Sequence, residues 1–392
     1  MPNRILYTTD LTGLGGGETS LLSHLGRLSS QFTPILLCPG KGMLTNAIGG
    51  MGIGMDIISW KNPGRIGFLP RYPLSAAVKV ISCLRGRRIE LINAGTFNSL
   101  AVVAPAAKIL RIPVIWTCHG WWPARKATGG FINLFADKVI AVSQYVRKKL
   151  EAEGHVDPGK VVHIPLGIDT TKFTGLQSRE AMRRELGLDM DTPLVGMIAR
   201  FQRVKGHHVF VRTAAEILKK APHVRFLIVG SAVFGKRHEQ DYEKEIRASI
   251  SENSLQESIR LVGFRKDIPR ILSSLDLLIV PSETETFGMV LLEGLASGVP
   301  VITSAKGGPE EIINNAIDGY LLNEQDPVLI AQKALTLIEN PVLRARMGRK
   351  GRESVLRKYD IGLTVEATES LYRELLRKKK ESFLNDEHSL YL

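Results

Sequence analysis

The chain has 392 residues, 44% of them hydrophobic and 23% charged, with a formal net charge of +13. These are globular proportions that exclude a disordered or fibrous chain, and the length exceeds what one hydrophobic core usually serves, so two domains are expected. No apolar run approaches the roughly 20 residues that span a bilayer, and the three dispersed cysteines, Cys38, Cys83 and Cys118, read as reduced core thiols without metal-ligand spacing.

The opening Met1-Pro2-Asn3-Arg4 leads directly into Ile5-Leu6-Tyr7, a buried-strand pattern, without the apolar stretch and cleavage site of a signal peptide, and the reduced cysteines are those expected of a cytoplasmic protein. Short apolar runs then alternate with helical patterns along the whole chain, the signature of parallel sheets built from βαβ units. In the first half the predicted strands are residues 4–9, 35–38, 55–59, 89–93, 113–118, 138–142 and 161–164. In the second half they are residues 194–200, 225–229, 259–262, 275–280, 299–303 and 320–322. Each set is enough for one doubly wound α/β domain.

The turn after the first strand is Asp10-Leu11-Thr12-Gly13-Leu14-Gly15-Gly16-Gly17-Glu18-Thr19. Contiguous glycines let backbone approach a phosphate at a helix start, although they do not form the dinucleotide fingerprint. The same residues also suit a plain flexible turn with Glu18 in the first helical turn. A helix expected around Arg71–Arg88 mixes apolar residues with a basic end that would suit anionic lipid. Further on, Trp116-Thr117-Cys118-His119-Gly120-Trp121-Trp122 places His119 at the carboxyl end of a strand. A lone histidine is more often structural than catalytic, but glycine and tryptophans beside it point towards a cleft. Pro165-Leu166-Gly167-Ile168-Asp169 and its turn-rich continuation read as the link between the domains.

Arg200 and Lys205, with Gly206 after them, follow the first strand of the second half and suit a diphosphate, arginine as a planar fork and lysine as a point charge. A solvated basic turn fits them equally. Pro281 to Glu293 carries two carboxylates, Glu285 and Glu293, where a strand gives way to a helix. Spacing alone leaves them as hydroxyl acceptors for a polyhydroxylated ligand or as a helix cap and a surface pair. Gly307-Gly308-Pro309 builds another anion-friendly helix start. Beyond Pro341 the chain is helical and basic, with an amphipathic stretch from Leu363 to Leu376 that could pack back on the first domain and a polar tail, 378–392, expected to be loose.

The basic excess sits in short clusters, among them Arg85-Gly86-Arg87-Arg88 and Arg377-Lys378-Lys379-Lys380, without interleaved aromatics. An anionic membrane surface or plain solubility accounts for it, and nucleic acid fits less well.

Taken in order, the glycine turn at Gly15 to Glu18, His119, the link, Arg200 with Lys205-Gly206, Val262-Gly263-Phe264, Glu285 with Glu293, and Gly307-Gly308-Pro309-Glu310 resemble the retaining glycosyltransferases of family four. The resemblance covers essentially the whole chain. It implies the GT-B fold, two Rossmann-like doubly wound domains facing a cleft. Residues 1–167 would be the acceptor side, joined by a returning C-terminal helix near 362–380, and residues 168–361 the nucleotide-sugar side.

The same resemblance implies roles. Arg200 and Lys205 would neutralise the donor diphosphate, Glu293 would accept from the ribose hydroxyls, and Glu285 with Thr286, Phe287 and Gly288 would hold the sugar. Gly16 and Gly17 would meet the distal phosphate, His119 the anomeric centre, and Gly263 and Phe264 the base. No metal and no organic cofactor would be needed, and no nucleic acid is expected. The donor would be UDP- or GDP-linked, the transferred group a hexosyl or N-acetylhexosaminyl unit. The acceptor would be a glycan or lipid-linked, in cell-surface polysaccharide, lipopolysaccharide or capsule assembly, with the enzyme peripheral on the inner face of the cytoplasmic membrane. A soluble acceptor, as in sucrose- or trehalose-type synthesis, and a non-catalytic binding module are the alternatives. One departure stands out: family members often carry Asn where this chain has Leu166.

Overall fold

Thirteen strands form among the residues described in the computed structural model, 2–60, 74–120, 126–173, 177–232 and 237–390. Each coincides with a predicted apolar run, its ends differing by a few residues. Contacts divide the chain into two units, Met1–Gly167 with Ile361–Leu392, and Ile168–Asp360.

In the first unit, β1 (Asn3–Thr8), β2 (Phe32–Cys38), β3 (Gly54–Ile57), β4 (Leu91–Ala94), β5 (Val114–Cys118), β6 (Lys138–Ala141) and β7 (Val161–His163) pair in the order β3-β2-β1-β4-β5-β6-β7. In the second, β8 (Leu194–Ile198), β9 (Arg225–Val229), β10 (Ile259–Leu261), β11 (Leu277–Val280), β12 (Val301–Ser304) and β13 (Gly319–Leu322) pair in the order β10-β9-β8-β11-β12-β13. All of these pairings are parallel. Neighbours in sequence such as Ile5 and Leu6, or Leu277, Leu278 and Ile279, are all fully buried, because helices cover both faces of a parallel sheet. Strand order reverses between β1 and β4 and again between β8 and β11, the places where loops at the carboxyl ends diverge in sheets of this kind.

The helix Ile361–Leu390 completes the first unit. Its Leu371, Tyr372, Leu375 and Leu376 enter the same core as Ile5, Tyr7, Leu36, Leu91 and Ile115, a one-sided apolar stripe at helical spacing. Inside that core runs a polar chain. Thr117 donates to Asn93 at 2.7 Å, the Asn93 amide to the Tyr372 hydroxyl at 2.7 Å, and Tyr372 to the Tyr7 hydroxyl at 3.1 Å. Tyr7 meets His24 Nε2 at 3.2 Å. Burial pushes the His24 imidazole down to about 4.

Two expectations are corrected. The tail from Lys378, expected to be loose, continues the helix to Leu390; neither Gly nor Pro interrupts residues 363–392, and the straight-chain Lys and Glu there are good helix formers. The strand predicted at 275–280 begins at Leu277. Leu275 instead closes the helix Ile268–Ser274, and Asp276 turns into an ion cluster with Arg183 at 2.6 Å and Arg179 at 2.8 Å. The helix expected around Arg71–Arg88 is Leu74–Gly86, residues 71–73 lying outside those described. All three cysteines are free thiols. No helix among the described residues is long and apolar enough to cross a membrane.

Candidate active site

The second unit gathers three loops at the carboxyl end of its sheet. The loop after β8 holds Arg200, tightens into a 3₁₀ turn at Arg203–Lys205, and ends at Gly206 with φ +77°. A Cβ on Gly206 would collide with the Pro281 carbonyl oxygen, so only glycine allows this loop to lie on the end of β11. The Glu283 N–H donates to the Val204 carbonyl at 2.8 Å. Beside this backbone contact, Lys205 Nζ reaches Glu285 Oε2 at 2.7 Å, with side chains 20% and 14% exposed.

The loop after β12 grips the same segment from its other side. Glu285 N–H donates to the Lys306 carbonyl at 3.1 Å, and Gly308 N–H returns to the Glu285 carbonyl at 2.8 Å. A side chain on Gly308 would strike the Phe287 backbone. Thr303 donates to the Val280 carbonyl at 2.9 Å, and Ser304 to that of Ser282. Buried Phe287 packs edge-on against Tyr359, their ring centres 6.1 Å apart. Residues 281–288 are thus fixed by two neighbouring loops.

Gly288, at φ +108°, opens the helix Met289–Ala296. No side chain caps it, so neither Glu283 nor Glu285 is the helix cap that spacing allowed. Its first N–H groups remain available to an anion. Glu293, on the second turn, has no ion-pair partner among the described residues. It keeps some solvent exposure, yet desolvation pushes its carboxyl up to about 7. Beside the loop after β8, Gly230 donates to the Gly263 carbonyl at 2.8 Å, Gly263 sits at φ +70°, and Phe264 stands 41% exposed.

In the first unit the glycine turn leads into the helix Gly16–Leu25, whose start is held by Glu18 Oε2 accepting from Gly15 N–H at 2.9 Å. The His119 ring lies against that first turn: a Cβ on Gly17 would stand 3.7 Å from Nδ1. Nδ1 has no hydrogen-bond partner among the described residues, and burial pushes the imidazole down to about 4, leaving it neutral at pH 7. Trp121 and Trp122 lie outside the described residues.

Two sequence profiles match the chain, Glycosyltransferase Family 4 over residues 14–172 and Glycosyl transferases group 1 over residues 178–354. The chain belongs to the family-four, group 1 glycosyltransferases.

Among similar members is spore coat protein SA of Bacillus subtilis, 27% identical over 225 residues, a match that covers 55% of this chain and only 59% of that protein. N-acetyl-alpha-D-glucosaminyl L-malate synthase of Bacillus anthracis is 25% identical over 321 residues, covering 79% of this chain and 81% of the relative. The GDP-mannose-dependent monoacylated alpha-(1-6)-phosphatidylinositol monomannoside mannosyltransferase of Corynebacterium glutamicum is 27% identical over 318 residues, covering 76% and 79%. The fold is GT-B: the solved structure of Anabaena HepE in complex with UDP and glucose superposes with a TM-score of 0.81 at 24% identity, covering 94% of this chain and 99% of that one.

This glycosyltransferase therefore brings Lys205, Glu285, Thr286, Phe287 and Gly288 together, with Arg200 on the same loop as Lys205 and Glu293 on the helix that follows. Gly263 and Phe264 stand at the end of β10, while Gly16, Gly17 and His119 form a separate group in the first unit. The lock at Thr303 and Ser304 is absent from the sequence reading. The small hydroxylated pair ending an apolar strand was its signal. Leu166, the departure from the family, is buried, 8% exposed.

Proposed function

We propose that this glycosyltransferase moves a hexosyl or N-acetylhexosaminyl unit from a UDP- or GDP-linked donor to a glycan or lipid-linked acceptor in cell-surface polysaccharide, lipopolysaccharide or capsule assembly, with retention of anomeric configuration. The observation that carries the reading is the Lys205–Glu285 contact of 2.7 Å in a loop that also holds Arg200. As the glycosidic bond breaks, negative charge collects on the departing diphosphate. Two cations on a fixed backbone, set before the reaction starts, favour that charge without reorganisation. Glu285 orients Lys205 and, with the backbone of 286–288, would accept from and donate to the sugar hydroxyls. Glu293 would take the ribose hydroxyls, and Gly263 with Phe264 would border the base.

In the first unit, Gly16 and Gly17 would offer N–H groups to the distal phosphate and neutral His119 would bond the transferred sugar. No protein base is required if the departing phosphate takes the acceptor proton on the face it leaves. No metal or organic cofactor enters this scheme.

The UDP complexes of Anabaena HepE and the GDP-mannose in the Corynebacterium relative's name support the two donor classes. That relative's phosphatidylinositol acceptor supports a lipid-linked one. So do two helices of the first unit, where exposed Val78 (62%) adjoins exposed Lys79 in sequence and exposed Ile109 (71%) adjoins exposed Lys108. Such a mixed face suits an anionic membrane seen from the cytoplasm. The malate acceptor in the Bacillus anthracis relative's name favours a second reading, a small soluble acceptor. Partition of the labelled product into organic solvent separates the two.

The first test is a thermal-shift screen against UDP- and GDP-sugars, in which a donor at about 100 times its dissociation constant adds about 2.7 kcal/mol. Slow donor hydrolysis by the native chain should be lost in Lys205→Ala and in Glu285→Ala; hydrolysis unchanged in both overturns the site.

A further inference from the structure

Behind the loop that carries Arg200 and Lys205 lies a polar cluster with no part in the scheme above. Glu239, on the helix Arg237–Glu252, is 0% exposed. Its Oε1 accepts from Gln202 Nε2 at 2.7 Å, while its Oε2 has no hydrogen-bond partner among the described residues. One turn along the same helix, the Tyr242 hydroxyl lies 3.0 Å from His208 Nδ1, and Arg203 sits over the Tyr242 ring while it bonds Glu245. The helix therefore holds the loop at two places, outside through Arg203 and inside through Gln202.

Gln202 is the loop's midpoint. Its N–H donates to the Arg200 carbonyl at 2.7 Å, and its carbonyl accepts from Lys205 N–H at 2.8 Å. A shift of Gln202 moves the backbone under both cations. Burying a carboxyl group with one oxygen unpartnered costs more than burying an amide or an apolar side chain of the same shape. Fold stability alone is better served by either, so the carboxyl group at this place calls for another function.

We infer that Glu239 is a positioning residue: through Gln202 it sets the loop that presents Arg200 and Lys205 to a nucleoside diphosphate. This rests on the assignment of those two cations to the donor diphosphate.

The test is calorimetric titration of the full chain with UDP and with GDP, alongside thermal unfolding without nucleotide. Glu239→Leu removes the unpartnered oxygen together with the bond to Gln202. Its unfolding midpoint should equal or exceed the native one while nucleotide affinity falls up to about tenfold, the loss expected for one hydrogen bond. Gln202→Glu sets two carboxyl groups against each other and should weaken binding at least as much. The exchanged pair, Gln202→Glu with Glu239→Gln, restores one donor facing one acceptor and should return affinity to within about threefold of native. Native affinity in Glu239→Leu, or an exchanged pair that binds no better than Gln202→Glu alone, overturns the inference. Lys205→Ala separates the two levels. If it binds nucleotide as the native chain does, or if the native chain binds neither nucleotide, the donor assignment itself fails. If Lys205→Ala loses binding and the Glu239 variants keep it, only the positioning role fails.

Discussion

Gly206 and Pro281 meet backbone to backbone: the Pro281 carbonyl oxygen fills the place a Cβ on Gly206 would take, and Gly206 holds φ +77° beside it. Two penalties therefore fall on Gly206→Ala. The left-handed backbone costs about 1–2 kcal/mol for a residue with a Cβ, and the collision adds to it by forcing the β8 loop off β11. Gly187, at φ +66° with nothing within 4 Å, carries the first penalty alone. Urea unfolding should show Gly187→Ala losing only about 1 kcal/mol and Gly206→Ala clearly more. Gly206→Ala should also lose donor turnover, since Lys205 and Glu285 no longer meet. Equal losses in the two variants would mean the contact has no energetic weight.

Glu293 gives a pH dependence with a definite sign. Desolvation raises its carboxyl from the usual 4.5 to about 7 in the folded chain, so between those values the native state binds more protons than the unfolded one. Its contribution to stability is greatest below about 4.5, declines as pH rises towards about 7, and is level above. Glu293→Gln should flatten that part of the stability curve and raise stability at pH 8. Ribose hydroxyls donate better to the charged form. UDP affinity should therefore rise more steeply between pH 6 and pH 8 in the native chain than in Glu293→Gln, where only the nucleotide's own terminal phosphate titrates, a difference that titration calorimetry at the two values reads directly.

Much of the fold and most of the candidate site residues could be read from the sequence because parallel strands buried on both faces are continuous apolar runs. Ile5-Leu6 and Leu277-Leu278-Ile279 are such cases. Ligand-facing residues in such sheets fall in the turns that follow, which is where Arg200, Lys205, Glu285 and His119 lie. Contacts between residues far apart in sequence were not legible. Asn93 meets Tyr372 across 279 positions and Gln202 meets Glu239 across 37, and no periodicity encodes either. The same limit misled the strand start at Leu275, where an aspartate inside an apolar run marked an ion cluster. The helical tail was legible in principle from its lack of Gly and Pro, but its charge read as disorder.

That ion cluster predicts stability without activity. Asp276 takes Arg183 at 2.6 Å, Arg179 at 2.8 Å and the Leu194 N–H at 2.8 Å, and Arg183 is 0% exposed. Burial pulls the Arg183 guanidinium below its usual range. Asp276→Ala strands that charge and should cost about 3–5 kcal/mol in denaturant unfolding. Asp276→Asn, which keeps an acceptor, should cost less. The cluster lies at the start of β11, away from the turn holding Lys205 and Glu285 at its far end. Turnover per folded molecule should therefore stay native in Asp276→Asn, and a loss there would show that the cluster shapes the loops as well.

The hydroxyl of Tyr372 gives the matching experiment in the first unit. It is fully buried, accepts from the Asn93 amide at 2.7 Å and donates to Tyr7 at 3.1 Å, so one oxygen ties the returning helix to β1 and β4. Tyr372→Phe leaves the ring and its edge-on contact with Phe32 but leaves the buried Asn93 amide without its acceptor, at about 1–3 kcal/mol. Leu375→Ala, on the same stripe, instead leaves a cavity and costs about 2–5 kcal/mol. A global midpoint does not say which of the two units has lost stability. Amide hydrogen exchange resolves it. Protection should fall in β1 and β4 in both variants and stay native in β8 and β11. Equal loss in all four strands would overturn the confinement of the effect to the first unit.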